Sequence, residues 1–558
     1  MSRKERQQPN PQQQSIDSVD DIEGKLQQAI SFYQAGQLQQ AEQICQQMLR
    51  DFPQHANALH LLGIIAYQVE GYQIATDLIS QAIEIDSNQS SFFYNLGNIL
   101  KEQGRLEESI EVYQQAIHIQ PDRADAYYNL GLVLQEQGRL KESMNAYQQA
   151  IHIQPQFAEA YSNLGMVLQE QGRLEESIEV YQQAIHIQPQ FADIYSNLGV
   201  VLKEQGRLEE SIEAYHQAIH IQSDHADAHE NLSIISLLKG NFLQGWKEYE
   251  WRWKCSNFPS EKRNFPQPYW DGTNLNGKSI LIWAEQGIGD EIMFTGILPT
   301  LSQMTEKIVI ECSLRLVPLF QRSFPQIQFF FQDNPPNLQL LNPDIDYQIS
   351  MGSLGQWLRT DEDSFKESKK PYLIACANRS AKIKKRYQKL ADGRMLVGIS
   401  WKSTGISQRR ALLKSTILED WTSILSQQDC YFINLQYGDM KEELEQFQQQ
   451  TNLMIYQDEE IDSLRNLDDF AAQVSALDLV ISTSNTTVHM AGALGKKVWT
   501  LLPYIPDWRW MLEREDTPWY PCMRLFRQSE TRTWSGVFDQ VRLVLEQYVV
   551  DNAAEGRP

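Results

Sequence analysis

The sequence lacks the hydrophobic segments that direct a chain into or across a membrane. It has no run of the roughly 18 apolar residues that a membrane-spanning helix needs. Its first residues, MSRKERQQPNPQQQSIDSVDD, are polar and Gln-rich and contain no apolar core of a secretory signal. We therefore expect a cytoplasmic protein with no membrane span.

Cysteine is scarce. Six cysteines occur in 558 residues, at positions 45, 255, 312, 376, 430 and 522, and no C-x-x-C pair is present. Scattered cysteines are typical of reduced thiols and argue against both a disulfide framework and a zinc site.

Positive charge is also in deficit. The chain has 49 lysines and arginines against 72 aspartates and glutamates, which gives a net charge of −23. Polyanions would be repelled by such a chain, so nucleic acid and anionic membranes are disfavoured as partners.

A repeat of 34 residues dominates the first part of the sequence. It is marked by the equally spaced glycines Gly63, Gly97, Gly131, Gly165 and Gly199. Each unit holds two apolar-periodic stretches around a glycine turn, which predicts a helical hairpin. The pattern resembles tetratricopeptide repeats, with six full units over residues 22–225 and a degenerate seventh. We predict an α-helical solenoid over residues 22–257, preceded by a disordered segment over residues 1–21.

One asparagine recurs at the same position of successive first helices. The five members of this asparagine ladder are Asn95, Asn129, Asn163, Asn197 and Asn231. A side-chain amide both donates and accepts hydrogen bonds, so the ladder could hold the backbone of an extended peptide. Asparagine is also common at this repeat position for packing alone, and both interpretations stay open.

Tryptophan is confined to the remainder of the chain, since all 13 lie at or after residue 246. Trp246, Trp251 and Trp253 of the seventh repeat predict that this repeat docks onto another domain. A Pro/Asn/Gly-rich linker is predicted over residues 258–277.

Short strand-like runs then alternate with helical ones, which predicts parallel sheets. The runs are KSILIWA, KIVIECS, DYQISM, MLVGISW, CYFINLQY, LDLVIST and KVWTLLP. A charged helical stretch over residues 377–394 separates them into lobes over residues 278–392 and 393–545, with a disordered tail over residues 546–558.

The first candidate corner is the segment EQGIGDEI. A strand leads into Gln286, Gly287 and Gly289, and a helix is predicted to open at Asp290. Asp290 suits either a helix N-cap or a general base. A dinucleotide fingerprint requires a third glycine where Ile292 stands, so NAD binding is only a weak competitor.

The second candidate corner is STSNTTVH. A strand ends in Ser484, Asn485, Thr486 and Thr487, and His489 lies one turn into the following helix. Hydroxyls, amides and free N–H groups at a helix N-terminus suit a phosphate. A well-capped helix with a satisfied histidine is the structural alternative.

Two further segments carry local positive charge. Lys402, Arg409, Arg410 and Lys414 follow a predicted strand and could neutralise a diphosphate without metal, although a solvated basic loop is an equal alternative. Near the C-terminus, tryptophans interleave with arginines in PDWRWMLEREDTPWYPCMRLFRQ. This segment predicts either a nucleotide pocket or the packed edge of a lobe.

Together these segments resemble heptosyltransferase-like glycosyltransferases of the GT-B type, in particular bacterial proteins that carry tetratricopeptide repeats ahead of that domain. The resemblance implies a fold of two Rossmann-type lobes, an acceptor lobe and a donor lobe. It implies that Gln286, Gly287 and Gly289 form the acceptor loop and that Asp290 deprotonates an acceptor hydroxyl. Its implied donor-binding residues are Arg410, Lys414, Ser484, Asn485, Thr486, Thr487 and His489.

The implied reaction is an inverting sugar transfer from a nucleotide sugar, with no metal and no cofactor, to an acceptor that the repeats recruit as a protein or peptide. Ser484 stands where the resembled family usually has an aspartate. A carboxylate-to-sugar hydrogen bond is worth about 1.5 to 3 kcal/mol, so we expect either a different sugar or lost turnover. The alternative function is a non-enzymatic protein-interaction scaffold with a vestigial transferase domain.

Overall fold

The computed structural model describes residues 11–403 and 408–554. Side chains of residues 11–21, 367–369, 408, 410, 553 and 554 are outside that description. The chain divides into two units, residues 1–201 and 202–558. This division falls inside the sixth helical repeat, well before the boundary near residue 257 that the sequence suggested.

The first unit is built from helices that pack in antiparallel pairs. They are α1 (Pro11–Gln34), α2 (Leu38–Asp51), α3 (Ala56–Gln68), α4 (Tyr72–Ile85), α5 (Ser90–Glu102), α6 (Leu106–Ile119), α7 (Ala124–Glu136), α8 (Leu140–Ile153), α9 (Ala158–Glu170), α10 (Leu174–Ile187) and α11 (Ala192–Gln205). Helix α1 begins inside the segment that the sequence assigned to disorder, and residues 1–10 lie outside the described residues.

A glycine and a tyrosine join the two helices of a repeat. A Cβ atom on Gly131 would lie 2.6 Å from Cε1 of Tyr147, so only glycine lets the buried ring approach this closely. The Ser143 hydroxyl donates to the Gly131 carbonyl oxygen at 2.7 Å. The same glycine–tyrosine contact joins Gly97 to Tyr113 and Gly165 to Tyr181. The 34-residue period is therefore a period of packing.

The second unit opens with three helices and continues into two parallel sheets. The helices are α12 (Leu208–Ile221), α13 (Ala226–Leu238) and α14 (Phe242–Tyr249), followed by a short 3-10 helix over Glu250–Lys254. The first sheet has the order β3-β2-β1-β4, with β1 (Ser279–Trp283), β2 (Lys307–Cys312), β3 (Gln328–Phe331) and β4 (Tyr347–Ser350). The second has the order β6-β5-β7-β8-β9, with β5 (Met395–Ser400), β6 (Cys430–Asn434), β7 (Leu479–Thr483), β8 (Val498–Leu502) and β9 (Met523–Arg527).

Helices lie between most of the strands, as parallel crossovers require, and one further helix follows the last strand. They are α15 (Ile288–Thr295), α16 (Leu298–Leu301), α17 (Val317–Ser323), α18 (Gly355–Leu358), α19 (Ala377–Ala391), α20 (Gln408–Lys414), α21 (Thr422–Leu425), α22 (Lys441–Thr451), α23 (Leu467–Ala476), α24 (Thr486–Ala493) and α25 (Ser535–Ala554). The predicted fold class, a helical solenoid followed by an α/β region with two parallel sheets, is confirmed. All seven predicted strands are present, and β3 and β9 are additional.

Helix α19 belongs to the second lobe by its contacts. The Tyr387 hydroxyl donates to a carboxylate oxygen of Asp458 at 2.6 Å, and Gln473 donates to that hydroxyl at 3.0 Å. The sequence had ended the first lobe at residue 392, whereas this packing moves α19 to the other side of the boundary. Helix α25 also continues to Ala554, through most of the predicted tail.

The seventh repeat docks onto the sheets, as its tryptophans predicted. Trp246 is fully buried and donates from Nε1 to the Arg359 carbonyl oxygen at 2.8 Å. Trp253 packs on Trp283 of β1 with ring centroids 5.2 Å apart. Trp251 instead stacks on His229 of its own repeat, at 4.0 Å. One hydrophobic core thus includes α13, α14 and both lobes.

The predicted linker is partly anchored. Trp270 is buried in that same core, and its backbone N–H donates to the Gln348 carbonyl oxygen at 2.9 Å. Residues next to Trp270 therefore extend the first sheet alongside β4 instead of joining two domains loosely.

Candidate functional site

The first corner lies where β1 passes into α15. Gln286 adopts a left-handed backbone with φ of 63° and Gly287 precedes the helix, so the chain turns sharply here. Asp290 accepts a hydrogen bond from the Gly287 N–H at 3.2 Å through one carboxylate oxygen. Asp290 is therefore not the predicted N-cap of α15, which is Gly287, but the third residue of the helix, where it closes a capping box. Its other carboxylate oxygen pairs with Arg509.

The second corner lies where β7 passes into α24. Asn485 caps this helix by accepting from the Thr487 N–H at 2.9 Å, and its amide donates to the Ser400 hydroxyl at 2.7 Å. His489 is buried and its Nδ1 lies 2.9 Å from the Tyr520 hydroxyl. These contacts match the structural alternative, a capped helix with a satisfied histidine. The Thr487 hydroxyl is buried with no hydrogen-bond partner among the described residues.

The two corners face each other across the two lobes. A Cβ atom on Gly289 would lie 3.1 Å from Cδ2 of His489 and 3.6 Å from the Thr486 hydroxyl oxygen. The absence of a side chain at Gly289 lets α15 approach α24 this closely. The structure therefore brings the predicted acceptor loop and the predicted donor turn into one place.

A single segment, Asp507–Trp510, contacts residues from both corners and from the basic loop. Arg509 forms an ion pair with Asp290. Trp510 donates from its indole N–H to the Ser484 hydroxyl at 2.8 Å and stacks on His489 at 5.2 Å. Asp507 accepts from the Lys414 ammonium group at 2.6 Å. We call residues 507–510 the bridging segment.

The predicted cations of the basic loop are paired with carboxylates. Arg409 pairs with Glu204 at 2.6 Å, and Lys402 pairs with Glu443. Lys414 pairs with the bridging segment, as described above. The side chain of Arg410 lies outside the described residues. The loop also contacts the second corner through its backbone, because the Asn485 amide donates to the Lys402 carbonyl oxygen at 3.0 Å.

Burial sets the charge states around the bridging segment. Burial, aided by the Arg509 cation, lowers the pKa of His489 to about 3, so this imidazole is neutral. Burial lowers the pKa of Arg509, but the carboxylates of Asp290 and Asp507 raise it by more, so the guanidinium stays charged. The site therefore contains a shielded cation between two carboxylates.

Two buried carboxylates, which were not predicted from the sequence, flank the turn of the first corner. Glu285 is fully buried and pairs with the buried Arg252 at 2.9 Å. Burial raises the pKa of Glu291 to about 7, and this carboxylate accepts from the Ser313 N–H at 2.9 Å. Their positions on either side of QGIGD were visible, but nothing local signals that both side chains turn inward.

The residues on which the competing interpretations depend also have defined positions in the structure. Glu311, the residue that would bind a ribose in a dinucleotide site, is buried and pairs with Arg263 at 2.6 Å. The aromatic residues of the C-terminal segment are buried core residues, as in the packed-edge alternative; they are Trp508, Trp510, Trp519 and Tyr520.

The asparagine ladder links neighbouring repeats. In the first unit each amide N–H donates to a residue one repeat earlier: Asn95 to His60 (2.9 Å), Asn129 to Tyr94 (3.1 Å), Asn163 to Tyr128 (3.0 Å) and Asn197 to the Met166 sulfur (3.8 Å). In the second unit the Asn231 amide oxygen accepts from Lys203 at 2.9 Å. An amide has two N–H groups and an acceptor oxygen, so a single such bond leaves capacity for a ligand. Asn129 has less capacity, because it also donates to the Asn98 amide oxygen at 2.9 Å.

Comparison with known proteins identifies the repeats. The family model described as the cilia and flagella-associated protein 70 C-terminal domain, a TPR family, matches residues 4–233. The helical repeats are tetratricopeptide repeats. Protein FlbA of Caulobacter vibrioides is 32% identical over 327 residues, 56% of this chain and 54% of FlbA. The chain thus spans about half the length of that curated relative.

Two solved structures resemble the solenoid. YrrB, described as a TPR protein with an unusual peptide-binding site, is 24% identical, with 33% of this chain and 95% of YrrB covered and a TM-score of 0.30. MamA is 24% identical, with 30% of this chain and 96% of MamA covered and a TM-score of 0.29. In the part of the chain that the structure describes, no helix has both the length and the apolarity of a membrane span.

Proposed function

We propose that the protein transfers a sugar from a nucleotide sugar to a hydroxyl of a polypeptide that its tetratricopeptide repeats bind. The observation that carries this proposal is the approach of the two corners, with Gly289 in contact distance of His489 and Thr486. Ligands of parallel α/β folds bind at the carboxyl ends of the strands, and both corners follow such ends. A carboxylate on one lobe thus meets a hydroxyl-rich helix N-terminus on the other.

Each side of this site has a separate chemical task in the proposed reaction. The Asp290 carboxylate accepts the proton of the acceptor hydroxyl as its oxygen attacks the anomeric carbon and the bond to the diphosphate breaks, which inverts the configuration. Lys414 and the N-terminus of α24 stabilise the departing diphosphate, so no metal is required. Asn485, Thr486, Thr487 and His489 hold the donor.

The bridging segment must move for this chemistry. Arg509 neutralises Asp290, and Asp507 neutralises Lys414. A donor diphosphate would compete with Asp507 for Lys414, and an acceptor hydroxyl would compete with Arg509 for Asp290. Ser484, which takes the place of an aspartate, is bonded to Trp510, so its contact to a sugar would be neutral and weaker.

A donor-hydrolysis screen tests the proposal without knowledge of the acceptor. The full chain is incubated with a panel of nucleotide sugars, and release of the nucleoside diphosphate is measured by mass spectrometry. We expect hydrolysis of one donor, loss of at least about tenfold in Asp290→Asn, and no change in Asp344→Asn, an exposed aspartate of the same lobe. Hydrolysis of no donor, or equal rates in both variants, would count against the transferase.

A protein-interaction scaffold is the second candidate, and the bridging segment favours it. Every candidate residue that the segment contacts is already satisfied inside the fold, as in a structural core. In that case Asp290→Asn lowers the stability of the second unit but leaves partner capture by the full chain unchanged. A deletion of residues 1–201, the whole first unit, would abolish that capture and serves as the comparison.

A further inference from the structure

A chain of buried hydroxyl groups leads from His489 into the interior of the second unit. Nδ1 of His489 lies 2.9 Å from the Tyr520 hydroxyl, which is within hydrogen-bonding reach of the Tyr372 hydroxyl. The Tyr372 hydroxyl in turn lies 2.8 Å from the Ile292 carbonyl oxygen of α15. All four residues are buried. The hydroxyl chain therefore links the helix of the second corner to the helix of the first.

The carbonyl oxygen at one end sets the direction of every hydrogen bond in this chain. A carbonyl oxygen only accepts, so the Tyr372 hydroxyl donates its proton to Ile292. Burial raises the pKa of both tyrosines, so each hydroxyl keeps its single proton. The Tyr372 oxygen therefore accepts from Tyr520, and the Tyr520 oxygen accepts from Nδ1 of His489. Nδ1 thus carries the proton of the imidazole ring.

The other ring nitrogen of His489 is consequently unprotonated. The low pKa of this residue makes its imidazole neutral, and a neutral imidazole has one proton. Nε2 has no hydrogen-bond partner among the described residues. A Cβ atom on Gly289 would lie 3.1 Å from Cδ2, the ring atom bonded to Nε2. A free hydrogen-bond acceptor is therefore placed on the side of the ring that faces the first corner.

We propose that Tyr520 and Tyr372 hold His489 in its Nδ1-protonated tautomer, and that Nε2 accepts a hydrogen bond from a hydroxyl group of the donor sugar. An unprotonated Nε2 has no proton to donate to a diphosphate oxygen, and the two lone pairs repel each other. A sugar hydroxyl supplies the proton that this nitrogen lacks. Both tyrosines are positioning residues, because they act on the sugar only through His489.

The sugar contact rests on the proposed function, because it names the part of the donor that His489 binds. The tautomer does not rest on it, because the direction of the hydroxyl chain is a property of the chain without a substrate. The two statements can therefore be tested separately.

Nuclear magnetic resonance of the full chain, labelled with nitrogen-15 in histidine, tests the tautomer. Protonated and unprotonated imidazole nitrogens have well-separated chemical shifts, and the signal of His489 is identified by its loss in His489→Gln. We expect the Nδ1-protonated form to exceed the other form by about tenfold, the ratio that one net hydrogen bond supplies. Equal populations, or an excess of the Nε2-protonated form, would overturn the inference without any further variant.

Tyr372→Phe tests the direction of the hydroxyl chain and leaves every direct contact of His489 in place. Without the Tyr372 oxygen, the Tyr520 proton turns to Nδ1 and forces the ring proton onto Nε2. We therefore expect the ratio of the two tautomers to invert. Tyr548→Phe changes a tyrosine of α25 that is not in the chain, and it should leave the ratio unchanged. An unchanged ratio in Tyr372→Phe, or an equal change in both variants, would refute the role of the tyrosines.

Nucleotide sugars and nucleoside diphosphates distinguish a sugar contact from a diphosphate contact. UDP-glucose, ADP-glucose and GDP-mannose are added in turn to the labelled chain and compared with UDP, ADP and GDP. We expect one nucleotide sugar to shift the Nε2 resonance, and its nucleoside diphosphate to leave that resonance in place. No shift with any of the three sugars, or an equal shift with the diphosphate alone, rejects the sugar contact.

Donor hydrolysis, measured on the same samples, separates this inference from the proposed function. Hydrolysis of a donor that does not shift the Nε2 resonance rejects the inference alone. A shift with a nucleotide sugar that is not hydrolysed supports the sugar contact and rejects the transferase alone.

Discussion

Removal of one partner of the Asp290–Arg509 ion pair tests whether the bridging segment joins the two lobes. In Asp290→Asn the amide oxygen can still accept from the Gly287 N–H, so the change removes the charge and keeps the cap. In Arg509→Met the aliphatic stem is retained and the guanidinium is lost. The double variant completes a thermodynamic cycle.

The expected loss in the free energy of unfolding depends on the favourable contacts that each charge keeps when its partner is removed. Breaking a fully buried pair costs about 3 to 5 kcal/mol. Here the side chains retain 19% exposure at Asp290 and 12% at Arg509, and each keeps a second favourable contact. Asp290 lies in the first turn of α15, and Asp507 remains near Arg509. We therefore expect about 2 kcal/mol for each single variant, about 2 to 3 kcal/mol for the double variant, and a coupling energy of about 1 to 2 kcal/mol.

The distribution of tryptophan makes a fluorescence measurement specific to the second unit. All 13 tryptophans lie at or after residue 246, so fluorescence-monitored denaturation reports the second unit and not the first. The free energy of unfolding is measured for the four members of the cycle at one pH. Additive single effects, with coupling below about 0.5 kcal/mol, would refute the view that this ion pair connects the lobes.

Three further predictions concern packing and pH. Gly165→Ala places a Cβ atom 2.7 Å from the buried Tyr181 ring and should lower the free energy of unfolding by about 1 to 3 kcal/mol. The loss should be seen as reduced hydrogen-exchange protection in α9 and α10. In Gly24→Ala the new Cβ atom meets nothing within 4 Å, so this variant should instead increase the protection of α1. Because burial raises the pKa of Glu291 to about 7, the folded chain holds a proton that the unfolded chain releases near pH 4.5. The free energy of unfolding of the second unit should therefore decrease as the pH rises from about 4.5 to 7. The variant Glu291→Gln should make this decrease about 2 to 4 kcal/mol smaller. An equal decrease in the variant would contradict the prediction. Trp246→Phe deletes the indole N–H that satisfies a buried carbonyl oxygen and should cost the second unit about 2 to 3 kcal/mol in the same fluorescence assay, whereas an unchanged value would show that the indole does not anchor the seventh repeat.

Local pattern was sufficient for most of the fold. The 34-residue glycine spacing and the apolar periodicity predicted the helical hairpins, and alternation predicted seven strands. Strand β3 has the sequence QFFF, and β9 contains two arginines. Neither segment carries a clear alternating pattern, and their strand character comes from pairing with β2 and β8.

Each corner of the candidate site was predictable from the sequence, but the contact that joins the two corners was not. Glycine turns and helix caps indicated each corner, because these features act over a few residues. The bridging contact joins Arg509 to Asp290, which are 219 residues apart in sequence. Such a contact depends on how two lobes pack, and the sequence of DWRW alone is equally compatible with a pocket wall.

The glycine–tyrosine contact within each repeat has a consequence for how such a chain can change over time. Helices α6 and α10 have the same 14-residue sequence, LEESIEVYQQAIHI, and each buries its tyrosine on a glycine of the preceding helix. Recombination between these near-identical stretches would add or delete whole repeats while every new junction remained complementary. The number of repeats could then change in discrete steps through gene duplication, without any compensating point mutation.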